Sequence, residues 1–451
     1  MSARSRKISF VFTKHLLNAL TRTRFGLMDA AQKRVIRAEE LRLAFEELGP
    51  AFIKLGQLIS LRPDMFPAEY VFEMESLRDA VPALPYKAIA EVIEKDFGKS
   101  PDELFVDFER EPIGSASIAQ VHRAKLHEPY TTIFGEELDA GTPLAIKVVR
   151  PHTKETIEAD LEIAARWVDR LNWFDSLRRF NVGLIVEELS ESLQRECDLR
   201  NEARISDEFA FEYRAWPRVT TAPMIWPYIS PNVLTMGFVE GYHLTEAEQA
   251  EAAGVDARYL ALHGAEVFMR QVLELGYFHA DLHQSNMILT PDSRICYIDF
   301  GILGNVAAEH REAITQVLVA TVYGDAKRAI KYSAPLGLVI TPERQPIVEQ
   351  KVAELMSRTL GATPRDIRGF AIGFLGIMND ERVSVPRGFG LLIKALVTVE
   401  GCAQMVYPDI DVTVAAKPYA TKLVARQMMN PARLYQRLPD ALDAFLEELV
   451  G

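Results

Sequence analysis

Cysteine is scarce in this chain. Cys197, Cys296 and Cys402 are the only three in 451 residues, and they lie far apart. That spacing offers neither a disulfide framework nor a metal knuckle, and it implies a reducing compartment. Long apolar runs are missing too. The nearest approach, Gly388–Val406, is interrupted by Lys394 and Glu400, so no transmembrane helix is expected. The opening MSARSRKISF has no apolar core followed by a cleavage site, which argues against secretion. Internal repeats and low-complexity tracts are absent. What remains is an ordinary globular composition, 48% hydrophobic and 25% charged, with length for two or three domains.

Acidic residues dominate, but unevenly. The net charge is −12, yet residues 1–37 hold nine Lys or Arg against one acid, Asp29. That segment is therefore +8 and the remainder −20. Ile8, Val11, Phe12, Leu16 and Leu20 recur at helical spacing, so the segment reads as a basic amphipathic helix. Such a helix can lie on an anionic membrane surface. It can equally pack on its own domain with the basic face solvated, and the pattern leaves both open. The acidic remainder, with no reading motif, argues against nucleic acid.

The chain divides by pattern into four stretches. Residues 1–105 are mostly helical, as in AEELRLAFEELGPAFIKLGQLIS, with apolar residues at three- and four-residue steps. Residues 106–240 open with FVDFEREPIGSASIAQVHRAKL, which reads as strand, tight loop, strand, and continue through LDAGTPLAIKVVRP into long helical patterns over 153–213. HEPYTTIFGEELDAGT, 127–142, is a surface insertion. Residues 241–410 form a larger helical lobe, and 411–451 a helical tail. The implied fold class is α+β: a small β-rich lobe followed by a larger helical lobe, the bilobal arrangement of protein kinases.

One stretch carries chemistry: HADLHQSNMILTPDSRICYIDFG, residues 279–301. His279, Asp281 and Asn286 read H-x-D-L-x-x-x-N, and Asp299-Phe300-Gly301 follows thirteen residues after Asn286. Met287–Leu289 and Ile295–Ile298 are short, apolar and β-prone, with Pro291-Asp292-Ser293 as the turn. A hairpin of that size returns Asn286 and Asp299 to the same end. An amide oxygen and a carboxylate there suit Mg²⁺, a hard ion that takes part of its shell from phosphates. Asp281 would then stand near an attacking hydroxyl or water. The ordered set matches the kinase catalytic loop plus D-F-G.

Other parts of that machinery are present in modified form. Lys147 in LAIKVV resembles the phosphate-binding lysine of V-A-I-K. It wants a carboxylate on a helix, and LIVEELSESLQRECDLRNEA offers Glu196, Asp198 and Glu202 without deciding between them. Glu196 continues the apolar series Ile185, Leu189, Leu193, while Asp198 and Glu202 are spaced to share a helix face. The phosphate loop lacks G-x-G-x-x-G. It reads Gly114-Ser115-Ala116-Ser117-Ile118-Ala119, and alanines restrict the backbone where glycines would let it approach phosphate. Ala116, Ser117 and Ala119 remain candidates for backbone contacts to nucleotide, with Met236 and Val239 in the hinge MGFVE. After D-F-G the chain runs almost directly into AAEHREAITQVLVAT, with no A-P-E, so a peptide substrate would lack its platform.

These features together resemble the UbiB family of atypical kinase-like proteins, linked to ubiquinone biosynthesis. The resemblance rests on Lys54-Leu55-Gly56-Gln57, SASIAQVHRA, Glu196-Cys197-Asp198 with Asn201-Glu202-Ala203, HADLHQSN and YIDFG, and it covers roughly residues 15–410. It implies that Lys54 and Gln57 sit on a helical N-terminal extension packed over the active site, that Glu196 and Asp198 meet that extension, and that one of them pairs with Lys54. It implies that Glu202 pairs with Lys147. Asp281, Asn286 and Asp299 would hold the metal and the reacting phosphate. The chain departs from the family's H-A-D-P-H-P-G-N at Leu282, Gln284 and Ser285, and carries Gly237 where the hinge commonly has an acid. Its end is too polar for a membrane anchor.

The expected activity is that of an atypical kinase or ATPase. It would bind ATP or ADP with Mg²⁺ (or Mn²⁺), hydrolyse ATP slowly in response to an isoprenoid- or quinone-like lipid, and support isoprenoid quinone biosynthesis. It would be cytoplasmic and peripheral at the inner membrane. Two alternatives stand beside this reading: a true kinase acting on a protein or small molecule, and a non-catalytic scaffold that uses nucleotide as a structural ligand. Oligomeric state is not legible.

Overall fold

The computed structural model describes residues 3–24, 29–60, 62, 66–74, 76–77, 82–116, 118–171, 187, 190, 193, 197–279, 282, 286–300, 303–361 and 365–411. The chain forms two compact units, Met1–Val255 with Ser285–Gly301, and Asp256–Gln284 with Ile302–Gly451.

The first unit begins with four helices, α1 (Ala3–Arg24), α2 (Ala30–Leu48), α3 (Pro50–Ser60) and α4 (Ala68–Met74). Asp29 caps α2 through a reciprocal capping box with Gln32. Their shared core joins Ile8, Val11, Phe45, Leu48, Ile53, Met74 and Leu77 to Ile163 of α7 (Thr153–Leu171). Arg4 on α1 also pairs with Asp160 of α7 at 2.6 Å and donates to the Leu48 carbonyl. The apolar period of the first helix splits in space. Ile8 and Val11 are buried, whereas Leu16 and Leu20 face outward. The buried side continues through His15, whose Nδ1 lies 2.7 Å from Glu40 on α2.

Next come α5 (Tyr86–Phe97), α6 (Pro101–Leu104) and an antiparallel sheet. The sheet orders β1 (Phe105–Val106), β3 (Ala119–Leu126), β6 (Pro143–Val149) and β8 (Val233–Gly237), with β2 (Gly114–Ser115) also on β3. Strand alternation divides β6. Leu144, Ile146 and Val148 are fully buried against Ile89 and Ile93 of α5, while Ala145 and Val149 face Leu199 and Ala203 of α8 (Leu199–Tyr213). The insertion before β6 forms its own hairpin, β4 (Tyr130–Thr131) with β5 (Glu137–Leu138). A second sheet orders β7 (Val219–Thr221), β12 (Ile295–Tyr297), β11 (Met287–Leu289) and β9 (Tyr242–His243), which ties the motif-bearing hairpin into the first unit. The short helix α9 (Ala247–Ala252) follows β9.

Among the described residues, the second unit is helical apart from β10 (Tyr277–His279) paired with β13 (Leu303–Asn305). Its helices are α10 (Ala257–Arg270), α11 (Ala308–Val322), α12 (Ala326–Ser333), α13 (Gln345–Leu360), α14 (Ile367–Asp380) and α15 (Arg387–Val406). They line a partly open cavity of about 120 Å³ with an almost wholly apolar lining that includes Ile314, Val317, Met356, Phe370 and Phe374. All three cysteines are free, and burial pushes the Cys296 and Cys402 thiols up to about 12, so these two serve as packing groups. Among the described residues, no helix is long and apolar enough to cross a membrane.

Candidate active site

Lys147 stands in the middle of β6, opposite Val121 on β3. Alternation places it on the face shared with Ala145 and Val149, the face that α8 covers. Its Nζ lies 2.8 Å from Glu202 Oε1 and 2.9 Å from Oε2. Both side chains are mostly withdrawn from water, at 19% and 12% exposure. The pair therefore acts in a medium where charge–charge attraction is stronger than on an open surface.

The start of α8 decides which acid reaches the lysine. Asp198 is extended and outside the helix; it is the N-cap, accepting from the Arg200 N–H. Its carboxylate is clamped by the Arg200 side chain at 2.9 and 2.6 Å, which holds its pKa below the ordinary carboxylate range. Asp198 therefore caps the helix from outside, while Glu202, four residues on, stands within it. Glu202 falls in the first turn beside buried Ala203, aimed at the sheet. Glu196 lies outside the described residues.

The hairpin has the expected register. Met287 faces Tyr297, Ile288 faces Cys296 and Leu289 faces Ile295. The turn closes with Thr290 N–H donating to the Arg294 carbonyl, and Ser293 takes the left-handed backbone. At the other end, Ile298 N–H donates to the Asn286 carbonyl at 3.0 Å, which sets Asn286 beside the chain leading to Asp299. Asn286 is buried, and Asp299 reaches to 3.8 Å from Lys147 Nζ. Asp281 lies outside the described residues, as does Ser117.

These donors fit a hard divalent ion. Among the described residues no group of three His, Cys, Asp or Glu side chains could cage a metal. One amide oxygen and one carboxylate, Asn286 and Asp299, instead suit Mg²⁺ that draws the rest of its shell from phosphate and water.

Phe300 shows how the hairpin is seated. It is 2% exposed and packs on Phe209 of α8, ring centroids 5.2 Å apart, while Phe209 also meets Tyr213 and Tyr297. Phe209 is seven residues beyond Glu202, so one helix face carries both anchors. Sequence reading passed over Phe209, although an apolar residue two turns after the acid was the available signal.

Of the hinge candidates, Met236 belongs to the cluster formed by Ala145, Leu199, Ala203 and Leu234, and Val239 packs against it with Val121 and Ile118. Gly237 has a packing reason: a Cβ there would come within 2.7 Å of the Pro223 ring. Ala116 N–H donates to the Ala119 carbonyl at 2.8 Å, closing the alanine-rich loop as a tight turn.

Lys54 and Gln57 lie three residues apart on α3 and so near one face of it. Lys54 is only 6% exposed. Gly56 lets α3 settle on its neighbours, because a Cβ would collide with Leu77, Phe45 and Met74.

A lysine strand, a glutamate helix, and a hairpin returning an amide and a carboxylate to one end together form a kinase-like constellation. Comparison with known proteins agrees: residues 76–333, more than half of the chain, match the ABC1 atypical kinase-like domain. The chain belongs to the ABC1 atypical kinase-like family. Its α+β architecture is the kinase-like one of that family, and the UbiB-like resemblance of the sequence is the same relationship. Among ABC1-family relatives, the uncharacterized protein sll1770 of Synechocystis sp. is 30% identical over 409 residues, covering 89% of this chain and 67% of that protein. The solved complex of Rv3197 with erythromycin from Mycobacterium tuberculosis aligns with a TM-score of 0.47 at 22% identity, over 82% of this chain and 96% of that one.

Proposed function

We propose that this ABC1-family chain binds Mg²⁺-ATP or Mg²⁺-ADP and hydrolyses ATP slowly, coupled to an isoprenoid- or quinone-like lipid, in support of isoprenoid quinone biosynthesis. The observation that carries the nucleotide part is Lys147 held by Glu202 at 2.8 Å with Asp299 3.8 Å away. In this reading Lys147 neutralises phosphate oxygens and Glu202 keeps its ammonium in place. Asn286 and Asp299 hold Mg²⁺ (or Mn²⁺), which when bound offsets charge on the transferring phosphate. Asp281 orients or deprotonates the attacking water or hydroxyl. Lys54 and Gln57 gate the site, with Glu196 or Asp198 as partner of Lys54.

Hydrolysis is favoured over peptide phosphorylation because Phe300 is followed so soon by α11, beginning at Ala308. That spacing leaves little chain for a peptide platform. Two features support the lipid side. The outward face of α1 shows Phe10, Leu16, Leu17 and Leu20 beside exposed Arg6, Lys7 and Arg24, and α1 contains no acid. That is the make-up of a helix lying on an anionic membrane surface. The apolar cavity of the second unit has room for the end of a lipid chain. The protein would then be cytoplasmic and peripheral at the inner membrane.

Thermal unfolding with and without Mg²⁺-ATP and Mg²⁺-ADP tests the nucleotide part. A ligand at about 100 times its Kd adds roughly 2.7 kcal/mol. The shift should need the metal and vanish in Asp299→Asn. No shift in the parent, or an equal shift in Asp299→Asn, would overturn the assignment.

A further inference from the structure

The alanine-rich loop has lost the glycines that let a backbone close around phosphate, so its shape must be held from outside. Arg150 does this. It follows β6 directly, three residues beyond Lys147, and is 8% exposed. Its backbone N–H donates to the Ile118 carbonyl at 2.8 Å. Its Nε donates to the Ala116 carbonyl at 2.9 Å, and one Nη donates to Ser115 Oγ at 2.6 Å and to the Pro82 carbonyl at 2.9 Å. One residue thus grips the loop at 115, 116 and 118, and grips the connector from the N-terminal extension at 82.

The connector has a second tie. Gln120, fully buried on β3, accepts from Leu84 N–H at 2.9 Å and donates back to the Leu84 carbonyl at 3.4 Å. Segment 82–84 and the loop are therefore fastened to each other on both sides. The guanidinium suits this role because its planar fork presents several N–H donors at fixed angles, and carbonyls drawn to a buried cation are held in one orientation. A peptide plane carries its N–H opposite its C=O, so fixing the Ile118 carbonyl also fixes the direction of the Ala119 N–H. Ordered N–H groups of that kind are what an anion requires of a backbone.

We infer that Arg150 is a positioning residue for the nucleotide phosphates, and that through Pro82 it makes the loop's grip depend on how the N-terminal extension is seated. This rests on the nucleotide-site reading above. Arg150 need not touch nucleotide. It acts through Ser115, Ala116 and Ile118. Lysine in its place keeps the charge but not the fork.

The test uses the full chain with Arg150→Lys, Arg150→Gln and, as a mild variant certain to spare the core, Ser115→Ala. Steady-state ATP hydrolysis with Mg²⁺ should show KM raised about tenfold in Arg150→Lys and more in Arg150→Gln, with kcat changed far less, as losing hydrogen bonds to a charged group implies. Ser115→Ala should raise KM about threefold, the size of one ordinary hydrogen bond, because the backbone carbonyls stay held. A lowered melting temperature with unchanged KM would reduce Arg150 to a structural role and overturn the inference. Amide hydrogen exchange of the nucleotide-free chain gives a readout that does not depend on the nucleotide site. Arg150→Lys should raise exchange locally at 113–119 and at Leu84 together. If exchange rises at neither segment, or uniformly across the chain, the coupling is refuted. If the parent binds no nucleotide while the exchange result holds, the site reading fails and the clamp survives it.

Discussion

Lys147 and Glu202 meet across 55 residues of sequence, with the lysine Nζ within 2.9 Å of both carboxylate oxygens. A pair this withdrawn from water is costly to half-remove, since the group left behind keeps its desolvation penalty. Glu202→Leu alone should therefore lose about 3–5 kcal/mol of stability. Adding Lys147→Met should restore most of it, because apolar groups of similar size replace such pairs at little cost. The double variant should regain its melting temperature but show no Mg²⁺-nucleotide shift. If it regains both, the pair is structural and the nucleotide site lies elsewhere.

Gly56 gives a second expectation. Leu77, Phe45 and Met74 crowd the space a Cβ would enter, so Gly56→Ala must lift α3 from its neighbours. Overpacking of this kind costs about 1–3 kcal/mol. Leu77→Ala introduced together with it should recover part of the loss, a coupling that contacting residues show and distant ones do not. Urea unfolding of the two single variants and the double measures it. Strict additivity would mean that α3 packs some other way.

The outer face of α1 makes a third. Phe10 is 68% exposed and Leu17 56%. Each would bury apolar surface worth about 1.5–3 kcal/mol on entering a lipid interface. Phe10→Glu with Leu17→Glu should weaken sedimentation with anionic vesicles by about tenfold or more. Neutral vesicles should bind the parent less well, and added salt should weaken binding further, since Arg6, Lys7 and Arg24 act through a screened field. Equal binding by parent and variant would remove α1 from the membrane reading.

Which of these relationships the sequence displays follows from where their partners sit. Asn286 and Asp299 are legible because a hairpin's register is local: thirteen residues and one turn determine that they return to the same end. Lys147 is legible from LAIKVV. Its partner is not, because Glu196, Asp198 and Glu202 all suit a helix, and only the cap at Asp198 sets where α8 begins. The buried face of α1 is ambiguous for a tertiary reason. Apolar residues surround that helix, and contacts such as His15 with Glu40 accompany the face turned inward. Arg150 leaves no trace in the sequence, since most of its acceptors are backbone carbonyls.

Glu400 supplies a pH-dependent expectation for the second unit. It is 3% exposed on α15 and accepts from the Ile367 and Arg368 N–H groups at the start of α14. Burial pushes its carboxyl up to about 7 from 4.5; those two N–H groups pull the other way, and Asp366 and Asp411 add to the rise. Between these values the folded chain keeps a proton that the unfolded chain has released. Stability attributable to Glu400 therefore falls as pH rises from about 4.5 to about 7, and stays level above that. Glu400→Gln has no such proton to lose, and its amide oxygen still accepts from the helix start. Its melting temperature should gain on the parent's steadily between about pH 5 and pH 7.5, whatever the offset between the two at low pH. Parallel melting curves across that window would show that Glu400 ionises in the folded chain as freely as in the unfolded one.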